Sequence, residues 1–178
     1  MKIALSCICL LAAAIAAHSI EEVKGALPVP DAYIQARERI FSEVSITLSD
    51  NIEDNGLVHV LMEQWRGDAL VLLVVKMDGT ARLIDSAGRN ITPSGRKGKL
   101  RDKCSSCFKD AEKAMIPTIK TSQRPIPGKG CAMFYFFTVN RQYRYGTCEE
   151  SLPMGKEGKS TLYKSSQECL AEVLKAEK

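Results

Sequence analysis

The spacing of hydrophobic residues changes along the chain, and the first change separates a helix from a group of strands. Apolar residues recur at helical spacing on one face of segment 32–44, and Asp31 before it is a suitable N-cap. Three strand-like runs follow at 57–65, 69–77 and 80–85. We expect an amphipathic helix packed against a three-stranded antiparallel meander.

Two-residue turns separate these three runs. Asp78-Gly79 is typical of a tight hairpin, and Gly67-Asp68 provides the earlier connection. The middle run, ALVLLVV at 69–75, shows no polar alternation. A strand of this kind is usually central and covered on both faces.

The next part of the chain is polar and then helical. Residues 86–103 are predominantly polar and basic and predict a loop. Helical spacing covers 104–115, and Pro117 follows it. The sequence therefore predicts a short second helix that begins at its first cysteine.

The C-terminal part predicts a hairpin and a last helix. Strand-like runs at 131–139 and 142–148 flank Asn140-Arg141, and one apolar stripe covers 161–175. The predicted fold class is α+β: a single disulfide-containing domain. Its elements are an N-terminal helix, an antiparallel β-meander, a short helix, a β-hairpin and a C-terminal helix.

The N-terminus has the pattern of a secretory signal peptide. Lys2 precedes the apolar run IALSCICLLAAAIAA at 3–17, and small residues allow cleavage after Ala16, Ala17 or Ser19. We expect residues 1–19 to be a cleaved signal peptide and 20–178 to form a single extracellular domain. No later apolar run has the length of a membrane span, so a secreted protein is predicted.

Five cysteines follow the predicted signal peptide, and exported thiols usually pair. We expect two disulfides and one odd cysteine, which is either buried and inert or joins two chains as a covalent dimer. The first bridge would close the predicted hairpin, and the second would join the last cysteine to either member of a C-x-x-C motif. The disulfide candidates are Cys104, Cys107, Cys131, Cys148 and Cys169.

The motif Cys104-Ser105-Ser106-Cys107 also permits a second interpretation. A thiol at a helix start beside basic residues has a lowered pKa, which is the basis of thiol-disulfide exchange. However, no strand precedes the motif, and a zinc site would need four ligands from the same few cysteines. The sequence favours structural bridging and predicts no cofactor and no metal.

The formal net charge is +4, and the positive excess lies in the run 89–103. There, six basic residues stand against the single acid Asp102. Outside the cell we expect such a run to bind an anionic polysaccharide, an anionic membrane surface or an acidic matrix component, or else to be a solvated loop. Nucleic acid is not an expected partner. The six candidates are Arg89, Arg96, Lys97, Lys99, Arg101 and Lys103.

Two further motifs fall on predicted turns and loops. Arg66-Gly67-Asp68 is an RGD tripeptide at a predicted hairpin tip, where it is either an integrin-type loop or ordinary turn chemistry. Asn90 begins the glycosylation sequon Asn-Ile-Thr, with Pro93 directly after it. We expect Asn90 to be the glycosylation site of the exported chain.

Histidine is nearly absent, which limits the possible catalytic devices. His18 lies at the predicted cleavage site and His59 lies in a strand-like run, with no nucleophile motif near it. The sequence therefore favours a non-enzymatic extracellular binding or matrix-associated protein, with an extracellular protein or anionic polysaccharide as partner. The alternative is a secreted effector, meaning an inhibitor, venom or salivary component or signalling ligand. A thiol-disulfide oxidoreductase using Cys104 and Cys107 is the third hypothesis.

Overall fold

The computed structural model describes residues 28–46, 56–93, 98–115, 119–138, 141–148 and 157–176. The predicted signal peptide lies outside these residues. The helices are α1 (Asp31–Ile46), α2 (Gly98–Met115) and α3 (Glu157–Lys175). The strands are β1 (Leu57–Arg66), β2 (Ala69–Lys76), β3 (Ala81–Asp85), β4 (Asn90–Ile91), β5 (Ile119–Lys120), β6 (Cys131–Thr138) and β7 (Gln142–Cys148).

The described strands form one antiparallel sheet in the order β4-β3-β2-β1-β6-β7-β5. Strand β1 is the centre because it pairs with β2 on one side and β6 on the other. The meander and the C-terminal hairpin, which the sequence predicted separately, therefore share one sheet. The α+β fold class is confirmed.

Helices cover both faces of the sheet. Helix α1 packs on one face, where Phe41 meets Leu61 and Tyr135 in one apolar cluster. Helices α2 and α3 pack on the other face, where Leu170 joins a second cluster with Phe134. Alternate residues of β2 enter the two clusters, and all six of its central residues are buried. The prediction that this strand is central and covered on both faces is confirmed.

Both predicted turns of the meander lie at the expected positions, but only the first is a two-residue turn. The second is longer than predicted, because β2 ends at Lys76 and β3 begins at Ala81. Gly67 and Gly79 both have positive φ, at 62° and 80°, a conformation that glycine adopts without steric cost. A Cβ atom on Gly79 would lie 3.0 Å from Cγ of Arg101, so this turn also has little room for a side chain. Both turns therefore depend on the glycine that the sequence placed there.

The predicted loop at 86–103 is wrong at both ends. Its first part contains β4, and its last part is the beginning of α2, which starts at Gly98 rather than at residue 104. Leu100 is buried one turn before Cys104 on the same helical stripe, and the lysines and arginines around it are good helix formers. The basic residues at 98–103 made this part look like a loop, although Leu100 extends the buried stripe of α2 by one helical turn.

Candidate functional site

The RGD tripeptide lies at the turn between β1 and β2, at one end of the sheet. Arg66 is the last residue of β1 and pairs across the strands with Ala69, the first residue of β2. Gly67 and Asp68 form the two-residue connection, and the Asp68 side chain is 83% exposed. The tripeptide therefore projects from a short turn whose two strands are fixed in a continuous ladder.

Segment 121–130 braces the base of this turn. Trp65 is half-buried, and its Nε1 donates a hydrogen bond to the carbonyl oxygen of Pro127 at 2.8 Å. Lys129 Nζ lies 5.8 Å from the centre of the Trp65 ring and 3.3 Å from Asp68 Oδ1. Among the described residues no hydrogen bond or ion pair involves the Arg66 side chain. Within the described part of the chain, Arg66 is therefore available to a partner, and the side chain of Asp68 contacts only the exposed Lys129.

A shallow groove of about 530 Å³ lies beside the turn. Proline, tryptophan and alanine supply apolar lining, and the two charged members of the tripeptide also line it. A partner that reaches the turn would therefore find carbon surface next to one cation and one anion. The lining residues are Pro28, Pro30, Trp65, Arg66, Asp68, Ala69, Ser86 and Ala87.

The described members of the basic run are mostly engaged in ion pairs. Arg89 Nε donates to the buried Asp85 carboxylate at 2.6 Å, and Asp85 also accepts the backbone N–H groups of Ala87 and Arg89. Arg89 is thus part of the turn between β3 and β4. It is separated along the fold from the other described basic residues, which lie on α2.

On α2 the basic side chains reach toward α3. Lys103 Nζ lies 2.5 Å from Glu168 Oε2, and Lys99 Nζ lies 3.5 Å from Glu172 Oε1. The contact with Glu168 raises the pKa of Lys103. Arg101 is exposed and lies against the Gly79 turn. Arg96 and Lys97 lie outside the described residues, so the structure does not test them.

Three of the five candidate cysteines meet in the interface between α2 and α3. Cys104, Cys107 and Cys169 are all completely buried there. Cys104 Sγ lies 3.4 Å from Cys169 Sγ, whereas Cys107 Sγ lies 3.3 Å from the hydroxyl oxygen of Ser166. Of the two partners that the sequence allowed for Cys169, Cys104 is the one whose sulfur contacts it, and in the structure all three cysteines are free thiols.

The position of the C-x-x-C motif differs from the prediction. Cys104 lies six residues after the first residue of α2, in the helix interior, so the helix-start argument for a reactive thiolate is wrong. Burial raises the pKa of Cys107 to about 12, which keeps that thiol protonated at neutral pH. The contact with Cys169 lowers the pKa of Cys104, and the same contact together with burial raises the pKa of Cys169. All three thiols are therefore buried in the α2–α3 interface and contact neighbouring side chains rather than solvent.

The remaining two candidate cysteines lie on the C-terminal hairpin. Cys131 begins β6 and Cys148 ends β7, and the strand register places them directly opposite each other. Directly opposite residues of antiparallel strands lie close enough for their side chains to interact. The register thus matches the pairing expected from the sequence.

Asn90 of the sequon lies on β4 and is exposed. Arg82 on β3 donates to its Oδ1 atom at 3.2 Å. Ile91 turns inward and is buried, and Thr92 is exposed. The two residues that define the sequon therefore both face solvent.

His59 lies on the α1 face of β1, in a more enclosed site than the sequence indicated. It is 3% exposed, and among the described atoms its Nδ1 has no hydrogen-bond partner. A cavity of about 50 Å³ beside it is also lined by Glu43, Lys76 and Arg82. Burial and the charge of Lys76 lower the pKa of His59 to about 4, so the imidazole is neutral at pH 7.

A buried charged network on the same face was missed by the sequence analysis. Glu63 accepts hydrogen bonds from Arg37 Nε at 2.7 Å, from Arg37 Nη2 at 2.8 Å and from the Tyr33 hydroxyl at 2.8 Å. Arg37 Nη2 also donates to the carbonyl oxygen of Arg124 at 2.8 Å, and the Tyr135 hydroxyl donates to that of Pro125 at 2.6 Å. The network ties α1, β1 and β6 to the segment that braces the RGD turn.

The sequence did contain a signal for this network. Arg37 falls on the apolar stripe of α1, one turn before Phe41, and Glu63 interrupts the buried strand β1. Charged residues at core positions of two separate elements predict that they pair with each other. The spacing of hydrophobic residues alone does not reveal such pairs.

Comparisons with protein-family models, with curated proteins and with solved structures found no match for this chain. Among the described residues, no group of three or more histidine, cysteine or acidic side chains could hold a metal ion. No helix in the described part of the chain is long and apolar enough to cross a membrane.

Proposed function

We propose that the protein is an exported, non-enzymatic binding protein that attaches to a cell-surface receptor of the integrin type through Arg66-Gly67-Asp68. One observation carries the proposal: the tripeptide lies on an exposed two-residue turn between strands that are held in one ladder. A receptor of this type recognises the guanidinium and the carboxylate together. A short, braced turn limits the conformational entropy that both groups lose on binding.

The geometry favours this turn over the basic run as the contact surface. Binding to a polyanion depends on several unpaired cations close together. Three of the four described members of the run contact carboxylates instead, and Arg89 belongs to a separate turn. By contrast, Arg66 and Asp68 lie on either side of Gly67 on one turn, are exposed, and line a partly apolar groove.

We further propose that the exported domain contains two disulfides, Cys131–Cys148 and Cys104–Cys169. The first is supported by the direct cross-strand register, and the second by the separation of 3.4 Å between the two sulfur atoms. Forming each bond releases two protons and two electrons to a disulfide oxidant of the secretory pathway. Cys107 remains a thiol, and its complete burial argues against a covalent dimer through this cysteine.

The receptor proposal is tested by measuring the affinity of the purified exported protein for soluble integrin ectodomains that recognise RGD. The tested proteins are the natural sequence, Asp68→Glu and Arg66→Ala, each in Mg²⁺ and in EDTA. We expect saturable binding in Mg²⁺ for the natural sequence and at least a tenfold loss for each variant. Asp68→Glu is the sharper variant because it preserves the charge and alters only the reach of the carboxylate.

A matched control uses the neighbouring turn of the same meander. Asp78 lies at the β2–β3 connection and accepts hydrogen bonds from the N–H and hydroxyl of Thr80 at 2.9 and 2.6 Å. Asp78→Glu makes the same chemical change on a turn without the tripeptide and should leave receptor affinity unchanged. Absence of binding by the natural sequence, or equal loss in the Asp78 variant, would overturn the proposal.

A further inference from the structure

We infer that Asn90 carries an N-linked glycan that covers the β4 edge of the sheet. The inference rests on the export that we propose for the chain, but it does not depend on the RGD turn. Its basis is the position of the sequon in the fold, where an exposed acceptor lies on an outermost strand. The ligand class is a lipid-diphosphate-linked oligosaccharide, which donates its sugar to the side-chain amide.

The local geometry leaves the acceptor nitrogen accessible. Alternation along β4 buries Ile91 against the α2 and α3 side of the sheet, while Asn90 and Thr92 face solvent. Arg82 Nε donates to Asn90 Oδ1 at 3.2 Å, which orients the amide through its oxygen. The amide nitrogen is therefore the atom directed away from Arg82. A glycan attached there projects from the sheet rather than into a packed interface.

The chemistry is a group transfer that needs no redox partner. The Asn90 Nδ2 atom forms a bond to C1 of the first N-acetylglucosamine, and the bond from that carbon to the lipid diphosphate breaks. The diphosphate leaves with the electron pair, and the amide nitrogen loses one proton. Thr92 at the second position after the acceptor completes the sequon that the transferring enzyme recognises.

The position has a structural consequence for the edge of the sheet. Strand β4 covers only Leu83 and Ile84 of β3, and in the described residues Ala81 and Arg82 have no strand partner on that side. Such an edge offers backbone groups to a second chain, and soluble proteins usually block it. A bulky hydrophilic glycan on Asn90 would prevent edge-to-edge pairing at this position.

The test expresses the full chain, with its own N-terminus, in a eukaryotic secretory cell. The intact mass of protein from the medium is measured before and after enzymatic release of N-glycans, which converts a glycosylated asparagine to aspartate. The variants are Thr92→Ala, which destroys the sequon, and Thr92→Ser, which preserves it. We expect a glycan at Asn90 in the natural sequence and in Thr92→Ser, none in Thr92→Ala, and increased self-association of Thr92→Ala in sedimentation.

Each outcome decides the inference. Secreted protein with wholly unmodified Asn90 overturns it while export stands. A chain that remains inside the cell without a glycan overturns both the inference and the proposed export. A glycan whose loss leaves sedimentation unchanged establishes the modification and overturns the role at the sheet edge.

Discussion

Lys129 Nζ lies 3.3 Å from Asp68 Oδ1, so the carboxylate of the RGD turn already has a cationic neighbour in the free protein. Both side chains are substantially exposed, at 49% for Lys129 and 83% for Asp68. An exposed ion pair of this kind contributes at most about 1 kcal/mol. Lys129 therefore competes weakly with any receptor cation that the carboxylate would bind.

Replacing Lys129 with alanine should strengthen receptor binding. Release of the Asp68 carboxylate is expected to lower Kd by about two- to fivefold, which corresponds to an ion pair of somewhat less than 1 kcal/mol. The measurement is a receptor titration at low and at physiological salt, and the gain should be larger at low salt because screening weakens the competing pair. Lys113→Ala removes an exposed lysine from α2 and should leave Kd unchanged. Weaker binding by Lys129→Ala would show that Lys129 contacts the receptor instead.

The proposed disulfide pattern predicts a specific alkylation result. For secreted protein in denaturant without reductant, we expect one cysteine, Cys107, to react, and none in the folded protein. After reduction, all five cysteines of the exported domain should react. Peptide mapping by mass spectrometry should link Cys131 to Cys148 and Cys104 to Cys169. A link from Cys107 to Cys169 or a covalent dimer would contradict the pattern. A Cys104–Cys107 link would also contradict it and would favour the oxidoreductase hypothesis instead.

Removing the Glu63 carboxylate should be one of the most destabilising single changes in the described core. Glu63 is completely buried and its Arg37 partner nearly so. Glu63→Gln removes the buried counter-charge and leaves the guanidinium with Glu38, whose side chain is half exposed and 2.9 Å from Arg37 Nη1. Breaking a buried pair in this way costs about 3–5 kcal/mol of unfolding free energy. Urea denaturation measures the loss, and the surface variant Glu112→Gln should change stability by less than about 0.5 kcal/mol.

A second variant identifies the cause of that loss. If the loss of the buried counter-charge of Arg37 is responsible, adding Arg37→Met to Glu63→Gln should restore part of the stability. If the double variant instead has a lower unfolding free energy than Glu63→Gln alone, the loss comes from lost packing rather than from charge. That result would contradict the electrostatic explanation.

The regular elements could be predicted from the sequence because each has a strong local pattern. The uninterrupted apolar run of β2 and the Gly67 and Gly79 turns determined the meander without tertiary information. The beginning of α2 could not be predicted in the same way. Its first turns are basic and expose most of their side chains, so only Leu100 marks the buried stripe.

The sites depended on tertiary contacts, and the sequence predicted them less well. The pairing of the strands determined that Cys131 faces Cys148, and the hairpin pattern was sufficient to expect it. The choice between Cys104 and Cys107 as the neighbour of Cys169 depends on how α2 rotates against α3, which no local pattern specifies. The same limitation concealed the Arg37–Glu63 pair, whose members are 26 residues apart in sequence.

The enclosed position of His59 predicts an acid-sensitive stability. The pKa of His59 is lowered to about 4 in the folded protein by burial and by Lys76, against about 6.5 for an exposed imidazole. Asp78 opposes this shift, and Glu43 and Arg82 are the other charged groups lining the cavity. As pH falls, the unfolded chain therefore binds its proton first. The stability contributed by the neutral imidazole is complete above pH 6.5 and is lost between pH 6.5 and 4.

This loss should be on the order of 3 kcal/mol by pH 4 and specific to His59. The measurement is the unfolding free energy from pH 8 to pH 4 for the natural sequence and for His59→Gln, in a chain produced without residues 1–19. The difference between the two curves removes the contribution of carboxylates that titrate in the same range. His59 is the only histidine in that chain, so its imidazole proton resonances report the folded pKa directly. Parallel curves, or a resonance that titrates near pH 6.5, would show that His59 is hydrated and that the cavity beside it is open to solvent.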